Sequence, residues 1–320
     1  MFGYPSSVHH GLQTICLCCI MLFLAMPLSA QELSETQATF SVVEEEHVFI
    51  PVTVLLENQT VVMDLENYLI GVVLAEMPAE FETEALKAQA IAARTYAWKL
   101  TNASGKHPDG AVCTDPACCQ GYICAEAYLT KTQNADNLIR VREAVRETEG
   151  IILTFQGQPI EATFFSCSGG YTEDAEAVWG REYPYLTAKE SPGEETAYCF
   201  SSTKTMSAAE LEAALGVSLT GKPENWFRDW IYTDSGGVYS VCVGDRRFSG
   251  TELRRKLDLK STMFTVQICD GQISFEVKGS GHRVGLSQYG ANALAEKGMS
   301  CSEILLYYYD GVDLQKIQGF

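Results

Sequence analysis

Positive charge is scarce in this chain: 23 Lys and Arg stand against 41 Asp and Glu in 320 residues, a net charge of −18. No Lys/Arg-rich patch occurs, which argues against nucleic acid as a partner, because phosphate binding needs clustered cations. There is no P-loop and no dinucleotide fingerprint. There is no G-x-S-x-G nucleophile elbow and no H-E-x-x-H, so serine-hydrolase and zincin chemistry lack their motifs. Long repeats and low-complexity tracts are absent as well. What remains is an acidic chain of ordinary globular composition, 46% hydrophobic, long enough to bury a sizeable core.

The first thirty residues carry no Asp, Glu, Lys or Arg. Ile15 to Leu28 is an apolar run followed by the small pair Ser29-Ala30. It has the length and ending of a secretory h-region, although the segment before it offers His9 and His10 and no Lys or Arg. An uncleaved single-pass anchor is the alternative, with a run short of the ~20 residues of a full span. Either reading exports the rest, to the outer face of the membrane or into the medium. Residues 31–47 read as an acidic linker.

Asp64 to Leu100 carries the strongest pattern. Asp64 is placed to cap a helix, and Leu65, Tyr68, Leu69, Val72 and Val73 recur at helical spacing until Pro78 ends it. Glu76 then sits at the helix C-terminus, where the dipole disfavours its charge. A carboxyl kept protonated is what a general acid requires. A second helix runs from about Thr83 to Leu100, rich in alanine, with Lys87 and Arg94 seven residues apart on one face.

Nine cysteines follow residue 30, an odd number that cannot pair completely within one chain. Four cluster in K-H-P-D-G-A-V-C-T-D-P-A-C-C-Q-G-Y-I-C. His107, Cys113, Cys118 and Cys119 could surround one Zn²⁺ in a closed tetrahedral site, against disulfides as the alternative for an exported chain. Further on, Glu149–Phe155 and Pro159–Phe165 read as strands of a hairpin that delivers S-C-S-G-G-Y-T. Ser166 and Ser168 share one side if that strand continues. Helices are expected at 208–215, from Thr251 to Leu257, at 287–297 and at 301–309. Hairpins are expected at 226–243 and at 263–277 around Asp270-Gly271. The turn Gly279-Ser280-Gly281 presents His282, and Gln288 and Tyr289 follow as candidates for substrate hydrogen bonds.

Four ordered blocks carry a resemblance. Y-L-I-G-V-V-L-A-E-M-P at 68–78, E-A-L-K-A-Q-A-I-A-A-R-T-Y-A at 84–97, F-F-S-C-S-G-G-Y-T at 164–172 and G-S-G-H-R-V-G-L-S-Q-Y-G-A at 279–291 together resemble the SpoIID family, with its LytB-type relatives. Arg283 departs from the family, which usually has Gly there. The resemblance implies lytic transglycosylase activity on peptidoglycan glycan strands, with Glu76 as the acid and Lys87 and Arg94 in support. It places the Ser168 block beside the cleft, and it implies a structural zinc held by the loop 105–125 if Cys118 replaces a His. It further implies an N-terminal membrane anchor, action during engulfment with other membrane proteins, and an amidase that removes stem peptides first. The expected fold is α+β, a mostly antiparallel sheet with packed helices, SpoIID-like over 48–320 and preceded by the apolar segment.

Ordinary glycosidases use two carboxylates, and no second one stands at a helpful spacing. A transglycosylase needs one, because the sugar's own 6-hydroxyl closes the ring. The rival expectations are a non-catalytic peptidoglycan-binding or amidase-activating protein and, less supported, a zinc hydrolase.

Overall fold

The computed structural model describes residues 48–57, 59–102 and 105–317. The expected signal or anchor at 1–30 and the linker at 31–47 lie outside them. Among the described residues, no helix is long and apolar enough to cross a membrane.

Helix α1 is Leu65–Glu76. Asp64 caps it, its carboxylate accepting from the Asn67 N–H at 3.2 Å, and Met77 leaves the helix in extended geometry ahead of Pro78. Helix α2 is Thr83–Asn102, and the molecule is packed around it. Ala85, Ala88, Ala90, Ala92, Ala93 and Ala97 are all fully buried. Helix α3 is Ala125–Thr132 and α4 is Ala135–Glu147. The small side chains of α2 let α1, α4, the strand Ile151–Phe155 and the C-terminal helices Gln288–Glu296 and Cys301–Tyr308 pack on it directly, while α3 packs on α1 and α4.

Most strand pairs are antiparallel. Pro51–Leu56 pairs with Gln59–Asp64, Ile151–Phe155 with Asp313–Lys316, and Gln272–Lys278 lies between Met263–Cys269 and Ser201–Ser207. Phe227–Tyr232, Val238–Val243 and Arg246–Ser249 form a further meander. The expected α+β class with antiparallel sheets is therefore observed. A second hydrophobic cluster, including Leu211, Val241, Phe248, Leu253, Ile273 and Phe275, sits under these later strands.

Two local expectations are corrected. The strand expected at 159–165 pairs as a hairpin only through Gln158–Pro159. Phe164–Phe165 instead runs parallel to Leu286–Ser287, with Cys167 bridged to Ser280. That exchange of partners brings the S-C-S-G-G and G-S-G-H blocks side by side. The short helix expected to start at Thr251 is Gly250–Lys256, capped by Ser249, whose hydroxyl accepts from the Glu252 N–H at 3.1 Å.

Candidate active site and metal centre

A cavity of about 630 Å³ opens where these elements converge. Its walls include Glu76 from the end of α1, Tyr96 from α2, Glu161, Trp179, Arg254 and His282.

Glu76 is the last residue of α1. Burial pushes its carboxyl above the ordinary value, opposed by a hydrogen bond that it accepts from the Gly121 N–H. The helix C-terminus acts in the same direction as burial, since its partial negative charge repels a carboxylate. The loop that supplies Gly121 lies tightly on α1. A Cβ on Gly71 would stand 2.3 Å from the Tyr122 ring, and a Cβ on Gly121 would stand 2.9 Å from Oε1 of Glu76. The Ile123 N–H also donates to the Gly71 carbonyl at 3.1 Å. Gly71 is thus required by close approach, since a Cβ there would also stand 2.8 Å from the Ile123 carbonyl oxygen, whereas at Gly121 the nearest atom is the movable end of Glu76.

The same loop gathers His107, Cys113, Cys118 and Cys119, whose ligand atoms all lie within 4.8 Å of one another. Nε2 of His107 is 3.4 Å from Sγ of Cys118. One imidazole and three thiolates at these separations fit the edges of a tetrahedral Zn²⁺ site. Four protein ligands would leave no position for substrate. Backbone bonds from Cys118 and Cys119 to the Asp115 carbonyl, at 3.0 and 2.9 Å, shape the turn that carries two of the thiols. Cys124 is exposed and outside the cluster. Two of these four residues, Cys118 and Cys119, also line the cavity, so their loop forms one wall of it. Lys106 ties that wall to α2, donating to the Tyr96 hydroxyl at 2.8 Å and to the Cys118 carbonyl.

His282 also lines the cavity, its ring 5.5 Å from that of Phe165 and 5.4 Å from that of Trp179. Nδ1 accepts the Val284 N–H at 3.1 Å. Burial, helped by the nearby Arg254, pushes its pKa down to about 4, so near neutral pH it is an uncharged imidazole. Its neighbour explains a departure from the family pattern. Arg283 has φ of 67°, a conformation that glycine adopts freely. Here the strain is offset by use of the side chain: the buried guanidinium donates to the Ser168, Tyr171 and Ser235 carbonyls and lies 3.6 Å from the Glu173 carboxylate.

The other expected site residues stand elsewhere. Lys87 pairs with Glu84 at 2.8 Å and with Glu147 at 2.7 Å. Arg94 is fully buried and grips both carboxylate oxygens of Glu66, at 2.8 and 2.7 Å, as well as the Ile151 and Val145 carbonyls. Neither is a cavity residue, and neither sets the pKa of Glu76. Both cations are held by carboxylates, among them Glu66 of α1 and Glu147 of α4, and so tie α2 to those helices. Ser168 is also fully buried. Its hydroxyl, its N–H and the Gly169 N–H all converge on Oε2 of Glu194 at 2.8–3.1 Å, so it fixes a loop rather than facing the cavity. Ser166 contacts Cys199, and Gln288 is buried against Gln89. Tyr289 stacks edge-on between Phe81 and Tyr198.

The cavity also holds residues that local sequence reading missed. Glu161 is a second carboxylate facing the same space as Glu76, with Lys99 3.0 Å from it. It follows the strand end at Pro159, and no spacing relates it to Glu76 85 positions earlier. Arg181, also missed, lies over the Tyr183 ring at 4.8 Å, and it lines the cavity beside Tyr183 and Trp179, aromatics whose rings suit a sugar.

Residues 57–155, which include α1, α2 and the loop of His107, Cys113, Cys118 and Cys119, match the model of the family described as SpoIID, stage II sporulation protein. The chain is 38% identical to stage II sporulation protein D of Bacillus amyloliquefaciens over 91% of its length and 86% of that protein. This chain belongs to the SpoIID family. It is 40% identical to stage II sporulation protein D of Bacillus subtilis strain 168, over 82% of this chain and 78% of that one. It is also 31% identical to an amidase enhancer of the same strain, covering 76% of this chain but 40% of the enhancer. The SpoIID resemblance in the four sequence blocks therefore extends over most of the chain.

Proposed function

We propose that this SpoIID protein is a lytic transglycosylase of peptidoglycan glycan strands, cutting between N-acetylmuramic acid and N-acetylglucosamine. The observation that carries the reading is Glu76: a carboxyl pushed toward its protonated form, in the wall of a sugar-sized cavity edged by Trp179 and Tyr183. Glu76 donates its proton to the glycosidic oxygen as the bond to the muramyl anomeric carbon breaks. The 6-hydroxyl of that sugar attacks the carbon, and the Glu76 carboxylate takes the hydroxyl proton. The product carries a 1,6-anhydro ring, and the acid is regenerated without water.

In this reading His107, Cys113, Cys118 and Cys119 hold a structural zinc, which supplies no chemistry to the sugar and fixes the loop that places Gly121 on Glu76. His282 and the aromatic wall position the ring. The substrate is a strand whose stem peptides an amidase has already removed, and the setting is sporulation, at the outer face of a membrane beside other engulfment proteins. The kinship with an amidase enhancer supports a second reading, in which the same cavity binds glycan without cutting it and activates an amidase.

The test is digestion of peptide-free glycan strands by the protein and by Glu76→Gln, with products identified by mass spectrometry. Anhydro-ended fragments from the first and none from the second support the proposal. Reducing-end fragments would instead mean hydrolysis, with Glu161 as the partner carboxylate. Binding without cleavage by both would favour the enhancer reading.

A further inference from the structure

Outside the metal loop, two thiols face each other. Cys167 ends the strand segment that begins at Phe164–Phe165 and is fully buried; Cys199 lies just before Ser201–Ser207 and is half-buried. They are within hydrogen-bonding reach of one another. Each also has a second polar partner. Sγ of Cys167 donates to Oε2 of Glu194 at 3.2 Å, and Sγ of Cys199 lies 3.5 Å from the Ser166 hydroxyl. Residues 168–198 between them include Trp179, Arg181 and Tyr183 of the cavity wall.

We propose that Cys167 and Cys199 are a redox pair that closes to a disulfide on meeting a small-molecule or protein disulfide donor, clamping the loop that forms this wall. The two thiols are unequal in the way the exchange requires. Contact with Cys167, reinforced by Ser166, pulls Cys199 down to about 7, while Cys167 is pushed up by Cys199 and by burial. Cys199 is the more accessible of the two and attacks as the thiolate, forming a mixed disulfide and releasing one donor thiol. Cys167 then resolves it. Its proton passes to the Glu194 carboxylate that already accepts it, its sulfur bonds to Cys199, and the second donor thiol leaves. Two protein thiols and one donor disulfide become one protein disulfide and two donor thiols. Glu194 loses one hydrogen bond in the process and keeps those from Ser168, Gly169, Ser191 and Ser287.

The pair is independent of the reaction proposed above, so failure of either leaves the other standing. The full chain is equilibrated in buffers of reduced and oxidised glutathione, alkylated, digested without reduction and mapped by mass spectrometry. The proposal expects a Cys167–Cys199 cross-linked peptide in the oxidising buffer, and a midpoint of thermal unfolding higher than in reducing buffer by roughly 5 °C, the effect of closing a loop of this length. The Cys199→Ser form should lose both. Finding Cys167 and Cys199 alkylated as free thiols in the oxidising buffer, or Cys199 joined to a different cysteine, overturns the proposal. So does an undiminished thermal shift in Cys199→Ser.

Discussion

Glu76 and His282 both line the cavity, and their pKa values are moved in opposite directions, Glu76 upward and His282 downward to about 4. Burial moves both toward their neutral forms, which is what a dry wall does to an acid and to a base. For His282 the consequence is a pH-dependent stability. Its folded pKa lies below the ordinary 6.5, so on acidification the unfolded chain takes the proton first. Stability should be whole above about pH 6.5 and fall as the pH drops toward 4, by at most about 3 kcal/mol from this residue. In His282→Asn, where a side-chain oxygen can accept the Val284 N–H in place of Nδ1, urea unfolding at pH 4.5 and pH 7 should show a smaller difference than in the unaltered protein. An undiminished difference would assign the acid sensitivity to other groups.

At the scale of elements, the helices that build the site were legible because their signals are local. Asp64, the apolar spacing and Pro78 bound α1, and alanine richness marks α2. The helices expected at 208–215 and 287–297 were equally readable, and they are observed as Ala208–Leu215 and Gln288–Glu296. What was not legible is where charged side chains go. Lys87 and Arg94 look alike on the α2 sequence, yet Arg94 is buried by Glu66 on α1, while Lys87 remains partly exposed between Glu84 and Glu147. The difference predicts different losses. Arg94→Ala strands a buried carboxylate and should cost about 3–5 kcal/mol in chemical unfolding. Lys87→Ala removes half-exposed pairs and should cost about 1 kcal/mol or less. Equal losses would contradict these assignments. The surroundings of Ser168 were not legible for a related reason: Glu194, to which its hydroxyl donates, lies 26 residues away and carries no local mark.

Over the whole molecule, the cavity is assembled from pieces distant in sequence, which is why Glu161 escaped notice while Glu76 did not. The parallel pairing of Phe164–Phe165 with Leu286–Ser287 joins the middle and last blocks, and the loop carrying Cys118, Cys119 and Gly121 closes the side beside Glu76. The grouping of His107, Cys113, Cys118 and Cys119 was readable from composition and family kinship, but its contact with Glu76 through Gly121 was not. That contact makes a prediction. One zinc per chain should be found by elemental analysis, and its removal by chelator should increase hydrogen exchange in residues 105–124 and at the end of α1 before the C-terminal helices respond. Uniform loss of protection, or none, would separate the loop from the acid.

The protonation of Glu76 is decided by a ¹³C NMR titration of the glutamate carboxyls, with the Glu76 signal identified by its absence in Glu76→Gln. Burial at the end of α1 should put its midpoint clearly above the ordinary 4.5. A midpoint at or below that value would mean that the Gly121 hydrogen bond outweighs burial, leaving a carboxylate suited to binding a sugar rather than to protonating its glycosidic oxygen.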